Sequence, residues 1–158
     1  MKSWQGLSAG IWLSLVGGCA SQAEQAGPVA RQLTASAHCG LQDRGLLYLA
    51  SGQDLQQLSG LPAQALTLAP LNAVDFSREH VVIVALGQKT SAGYGVTLDS
   101  AQLIGDRLTL EMRLQSPPPD SMVAQVMTTP CAAVAVINQG WSHLSVYGEG
   151  YPAVSHQR

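Results

Sequence analysis

Lys89, Thr90, Gly93 and Tyr94 fall within one glycine-framed stretch, Gly87-Gln88-Lys89-Thr90-Ser91-Ala92-Gly93-Tyr94-Gly95. A cation, a hydroxyl and an aromatic ring on backbone that glycine allows to turn sharply could do the chemistry of recognition. Tyr94 would anchor in a partner, with Lys89 and Thr90 beside it. The same residue types also suit a tight β connection with Tyr94 packed at the start of a strand. Covalent chemistry has less to work with. His38, His80, His143 and His156 are scattered, with no pair at helical metal-ligand spacing; His80, just before an apolar run, reads as a surface residue at a strand end, and no Gly-x-Ser-x-Gly elbow frames a serine nucleophile. Asp75, Glu79, Asp99 and Glu111 are the carboxylates available for acid–base work, but strand alternation sends Asp99 and Glu111 to solvent. No catalytic residue, metal site or cofactor is expected. Charged residues are 11% of the chain and the formal net charge is -2, so no basic stripe is present to follow a phosphate backbone and nucleic acid is not an expected partner.

The first segment has its own chemistry. Met1-Lys2-Ser3-Trp4 makes a short positive start, and Leu7 to Val16 makes an apolar run shorter than the ~20 residues that span a bilayer. Residues 1–18 therefore read as a signal peptide rather than a retained membrane helix. Its end, Val16-Gly17-Gly18-Cys19, resembles the bacterial lipobox. In that class of signal the cysteine thiol takes a diacylglyceryl group and the freed amino group is acylated with a fatty acid such as palmitate. Cys19 would then hold the protein to a membrane through several chains, which makes anchoring stable. Ala20 and Ser21 follow, with no aspartate to signal inner-membrane retention, so the expected place is the outer membrane of a bacterial envelope, facing the periplasm or the cell surface. Residues 19–36, rich in Ser, Gln, Ala, Glu and Gly, are expected to be a flexible tether. With Cys19 acylated, Cys39 and Cys131 remain, and in an oxidising compartment they are expected to pair as a disulfide.

Strands must carry these groups. Val81-Val82-Ile83-Val84-Ala85-Leu86 is a continuous, β-branched apolar run, the pattern of a strand buried on both faces. Before it, Gly45 to Ala50 reads as a strand and Ser51 as the cap of a two-turn helix, with Leu55 and Leu58 on its apolar side and Gly60 and Pro62 ending it. Residues 63–77 have no clean period. After the loop, Tyr94, Val96 and Leu98 alternate with polar residues, and Gly105-Asp106 is placed for a two-residue type II′ turn. Leu108, Leu110, Met112 and Leu114 then alternate with Arg107, Thr109, Glu111, Arg113 and Gln115, until Pro117-Pro118-Pro119 ends the strand. Residues 122–129 form a connection, Cys131 to Ile137 another buried strand, and Leu144 and Val146 mark a last strand. The expected fold is mainly β: an antiparallel β-sandwich or partial barrel with one or two short helices. It would form one domain over residues 37–148, with 149–158 a loose tail.

Val74-Asp75-Phe76-Ser77, then Val81 to Gly87, Lys89 to Tyr94, the Gly-Asp hairpin, the proline cluster and Thr129-Pro130-Cys131 together resemble the C-terminal domain family of the protease-complex subunit PrcB. The resemblance covers roughly residues 74–136. The family loop reads Lys-Pro-Thr-Gly-Gly-Tyr, where this chain has Thr90, Ser91 and Ala92 in its middle. It implies an exported lipoprotein that helps to assemble or stabilise a cell-surface protease. The loop is similar, more loosely, to the Thr-Gly-Tyr loop of chagasin-type protease inhibitors through Gly93 and Tyr94. The expectation is a non-enzymatic envelope lipoprotein that binds or stabilises another envelope protein, with a protease complex implied by the resemblance. The alternatives are a protease inhibitor acting through the Gly87–Tyr94 loop and a small-ligand carrier with an apolar cavity.

Overall fold

A computed structural model describes residues 27–158; the leader, Cys19 and the start of the tether lie outside the described residues. Eight strands and two short helices follow in order: β1 (Ala30–Ser36), β2 (Arg44–Leu49), α1 (Gly52–Ser59), α2 (Ala69–Asn72), β3 (Glu79–Leu86), β4 (Gly95–Ile104), β5 (Arg107–Gln115), β6 (Cys131–Ile137), β7 (His143–Gly148) and β8 (Tyr151–Gln157). They form two four-stranded sheets, ordered β1-β6-β3-β2 and β4-β5-β7-β8. The fold is a sandwich, and two separate sheets replace the partial barrel kept open from the sequence.

The apolar patterns follow from which faces are covered. Val82, Val84 and Leu86 of β3 face the second sheet, meeting Leu108, Leu110, Leu144 and Val146. Val81, Ile83 and Ala85 face the other way, onto Leu55 and Leu58 of α1 and Leu71 of α2. With both faces covered, β3 is apolar from Val81 to Leu86, whereas β5 belongs to a sheet with one covered face and alternates. Ser51 caps α1: its Oγ accepts from the Asp54 N–H at 3.3 Å and donates to Asp54 Oδ2 at 2.9 Å. Gly105, at φ +59°, makes the sharp first step of the β4–β5 hairpin.

Three expectations change. Residues 30–36, assigned to the tether, are β1, paired with β6 from Ala30↔Val136 to Ser36↔Cys131. Polar composition hid it because an edge strand is held by its ladder and needs few apolar side chains; Leu33 packs on the helix-side core. Residues 151–157, assigned to a loose tail, are β8, paired with β7 through Ser145↔Ser155 and Val146↔Val154. Pro152 is tolerated there because β8 is an edge. The sheets are also not wholly antiparallel, since β5 and β7 run parallel from Arg107↔His143 to Met112↔Gly148. Both strands start at the same end because β6 carries the chain back through the first sheet between them.

The sandwich therefore has two ends. The chain enters at one, where the Ile137 N–H donates to Val29 O at 3.0 Å. The connections 37–43, 87–94 and 116–130 gather at the other.

Candidate functional site

The 87–94 loop is laid along its neighbour rather than projecting alone. Gly87 has φ +72°, and a Cβ there would lie 2.8 Å from Arg44 N, so glycine is required where the loop leaves β3. The Lys89 N–H donates to Thr128 O at 2.8 Å, and Lys89 O accepts in return from the Thr128 N–H at 2.9 Å. The Ala92 N–H donates to Ala124 O at 2.9 Å, and the buried Thr128 Oγ1 donates to Ser91 O at 3.0 Å. Gly93, at φ +93°, rests against Pro117. The loop and the 116–130 segment thus form one paired unit.

Its base is fastened covalently. Cys39 and Cys131, both buried, are joined by a disulfide across a Cα–Cα distance of 6.0 Å. Beside it, Thr129 Oγ1 accepts from the Cys39 and Gly40 N–H groups, each at 3.0 Å.

The proposed loop residues come together in part. Lys89 Nζ lies 5.3 Å from the Tyr94 ring centroid, within cation–π range. Thr90 is exposed, but Tyr94 is half-buried and so is partly a packing residue. Sequence reasoning missed the other half of the surface. Met122 is fully exposed, Met127 is 54% exposed and Val126 48% exposed, all on the paired segment. A 15-residue connection without a helix or strand that places large apolar side chains in water is unusual in a compact domain. The available signal was the run Met122-Val123-Ala124-Gln125-Val126-Met127, more apolar than a plain connection requires.

The opposite end holds most of the histidines. His80, expected as a surface residue at a strand end, is half-buried with Nδ1 2.5 Å from the Tyr48 hydroxyl. The Tyr48 ring stacks on His156 at 4.4 Å and meets Trp141 edge-on at 5.9 Å, while the Arg158 guanidinium lies 4.8 Å over Trp141. Burial, with Arg158 adding to it, pushes the His80 pKa down; burial pushes the Tyr48 hydroxyl up. His38 sits apart, exposed at the loop end.

Asp106, Ser142 and His143 also meet, but not as a relay. Ser142 Oγ donates to Asp106 Oδ2 at 2.5 Å, and His143 Nδ1 faces both Ser142 Oγ at 2.7 Å and Asp106 Oδ2 at 3.3 Å. A relay would place serine and carboxylate on opposite ring nitrogens. The Ser142 and His143 hydrogen bonds hold the Asp106 carboxyl below its usual range. Among the described residues, no three His, Cys, Asp or Glu side chains are grouped to hold a metal ion. Asp99 pairs with Arg113, and Glu111 Oε2 accepts from Ser100 Oγ at 3.0 Å.

Residues 80–136 match the family model described as PrcB C-terminal, which bears out the resemblance read from the sequence over that span. The span runs from the second residue of β3 through all but the last of β6, and contains both paired loops whole. No curated protein and no solved structure matches the chain significantly.

Proposed function

We propose that this protein is a non-enzymatic binding module of the bacterial envelope, anchored through acylated Cys19, that docks on another envelope protein of the protease-complex type. The observation that carries this reading is the exposed apolar trio Met122, Val126 and Met127 on a segment held to the Lys89–Gly93 loop by backbone hydrogen bonds. Holding both loops in place lowers the ordering cost of association, and large apolar side chains supply the contact. The match to the PrcB C-terminal family, whose resemblance implies a protease-complex subunit, supports the class of partner.

Chain direction supports the geometry of docking. β1 starts at the end where the tether arrives and finishes at the loop end beside Cys131. With Cys19 in a membrane, the platform points away from the anchor, toward a partner standing off the bilayer. The loop is bonded to residues 124–128 at Lys89, Ser91 and Ala92, so a partner would meet the two loops as one surface.

The test is crosslinking and affinity capture of the acylated protein from detergent-solubilised envelopes, with a Met122→Ser/Met127→Ser variant and a Tyr94→Ala variant in parallel. The expected result is an envelope protein recovered with the parent and lost with the methionine variant. Equal recovery by both would remove the platform reading. Loss with Tyr94→Ala alone would move function into the loop and favour the inhibitor.

A further inference from the structure

The two sides of the sandwich are closed differently. Between β2 and β8, the Tyr151 hydroxyl donates to Gly45 O at 3.0 Å and seals the edges together. Between β1 and β4, the free edges of the two sheets splay toward the loop end. They leave a groove of about 650 Å³ walled by residues 35–37 and 95–97, with Tyr94 at its rim and Arg113 the charged residue of its lining.

The register of β4 defines what the groove presents. The two-residue turn makes Ile104 and Arg107 a hydrogen-bonded pair, and alternation through the bulge between Leu98 and Ser100 leaves Val96 and Leu98 with their backbone groups directed away from β5. Leu98 bears this out: its N–H donates to the side-chain Oε1 of Gln32 on β1 at 2.8 Å. A side-chain amide stands where the carbonyl of a neighbouring strand would stand. Two residues closer to the loops, the Val96 N–H and C=O face the groove, where the opposite wall carries Ala35 and Ala37. Side chains that small leave width for a polypeptide backbone.

We propose that this groove is a strand-addition site, taking an extended segment of a partner polypeptide alongside Gly95–Leu98, with a carboxylate side chain of that segment meeting Arg113. Main-chain hydrogen bonds to the β4 edge supply the affinity, as in other cases of sheet augmentation, and Arg113 supplies the preference for an acidic segment. Arg113 is largely exposed and uses one NH2 group on Asp99, so further donors of its fork remain for an incoming carboxylate. The site stands on the β4 edge and does not depend on the methionine platform.

The experiment selects phage-displayed random linear peptides on the mature full-length protein and titrates a synthesised winner against isotope-labelled protein. The expected winners carry Asp or Glu, shift the Val96 and Leu98 amide signals and slow their exchange. Arg113→Glu and, separately, Ala35→Arg weaken binding by about tenfold or more, while Met122→Ser/Met127→Ser changes it less than about twofold. Both groove substitutions are at exposed positions, and the thermal transition of each variant checks that it folds. Three results overturn the proposal: no enriched peptide, winners that depend on Met122 and not on Arg113 or Ala35, or concentration-dependent dimers abolished by Ala35→Arg, which would assign the groove to a second copy of the chain.

Discussion

Lys89 and Thr128 exchange both backbone hydrogen bonds, at 2.8 and 2.9 Å, although 38 residues of hairpin and loop separate them. This one bridge converts two connections into a single surface, and the Thr128 hydroxyl locks it by donating to Ser91 O. Thr128→Val keeps the shape and removes that donor, leaving a buried carbonyl without its side-chain partner. A loss of about 1–2 kcal/mol in denaturant unfolding is expected, with faster amide exchange at Lys89 and Ala92. Unchanged exchange at those amides would show that the backbone bridge alone holds the loops.

The Cys39–Cys131 disulfide ties the strand-end junction of β1 to the start of β6 across 92 residues of sequence. Replacing both cysteines by alanine is expected to cost about 2–5 kcal/mol in equilibrium unfolding. Both cysteines are buried, so a thiol reductant should open the bridge slowly in native buffer and faster as denaturant exposes it. Immediate reduction without denaturant would mean that this corner opens freely.

Gly148 ends β7 opposite Met112 of β5. A Cβ built there would lie 2.2 Å from the carbonyl oxygen of Met112 and 3.1 Å from its carbonyl carbon, and this obstacle is backbone, which cannot rotate aside. Gly148→Ala should therefore separate the strands and destabilise by more than about 2 kcal/mol. Gly45→Ala is the control: a Cβ there meets nothing within 4 Å, and the expected change is slight or stabilising. Similar shifts in thermal midpoint for the two variants would refute the close approach.

What could be read from the sequence followed burial. β3 and β6 were legible because a strand is apolar wherever both its faces are covered, as from Val81 to Leu86 and from Cys131 to Ile137, and β5 because one covered face produces strict alternation. The edges were not legible. β1 keeps Arg31, Gln32 and Thr34, and β8 keeps Pro152, Ser155 and Gln157, because their pairing with β6 and β7 needs backbone and few apolar side chains. The loop residues Lys89, Thr90, Gly93 and Tyr94 stood out through glycine and composition. Met122, Val126 and Met127 did not, since an irregular segment has no period to reveal which side chains it exposes. His80 read as a surface group because its partner Tyr48, and the His156 ring stacked on that tyrosine, come from strands distant in sequence.

His80 also makes stability depend on pH. Burial, reinforced by the positive charge of Arg158, lowers its pKa from the ordinary 6.5, against smaller opposing effects of a Phe76 backbone hydrogen bond and Asp54. Since the unfolded chain then binds a proton more readily than the folded one, the sign follows: the His80 contribution is fully present above 6.5 and is lost as pH falls through that value toward the lower folded pKa. The Tyr48 hydroxyl, with its own pKa raised by burial, stays protonated across this range and can donate to a neutral Nδ1 but not to a protonated one. Acidification thus reverses this hydrogen bond, with a charged Nδ1–H donating to the Tyr48 oxygen, and leaves that charge partly buried near Arg158. NMR titration should place the His80 midpoint below 6.5, and the thermal midpoint should fall more steeply between about pH 7 and about pH 5 for the parent than for His80→Gln, which keeps an acceptor for Tyr48 and cannot titrate. A His80 midpoint at or above 6.5 would show that burial and Arg158 do not favour the neutral ring, and equal slopes for the two proteins would show that His80 does not carry the pH dependence.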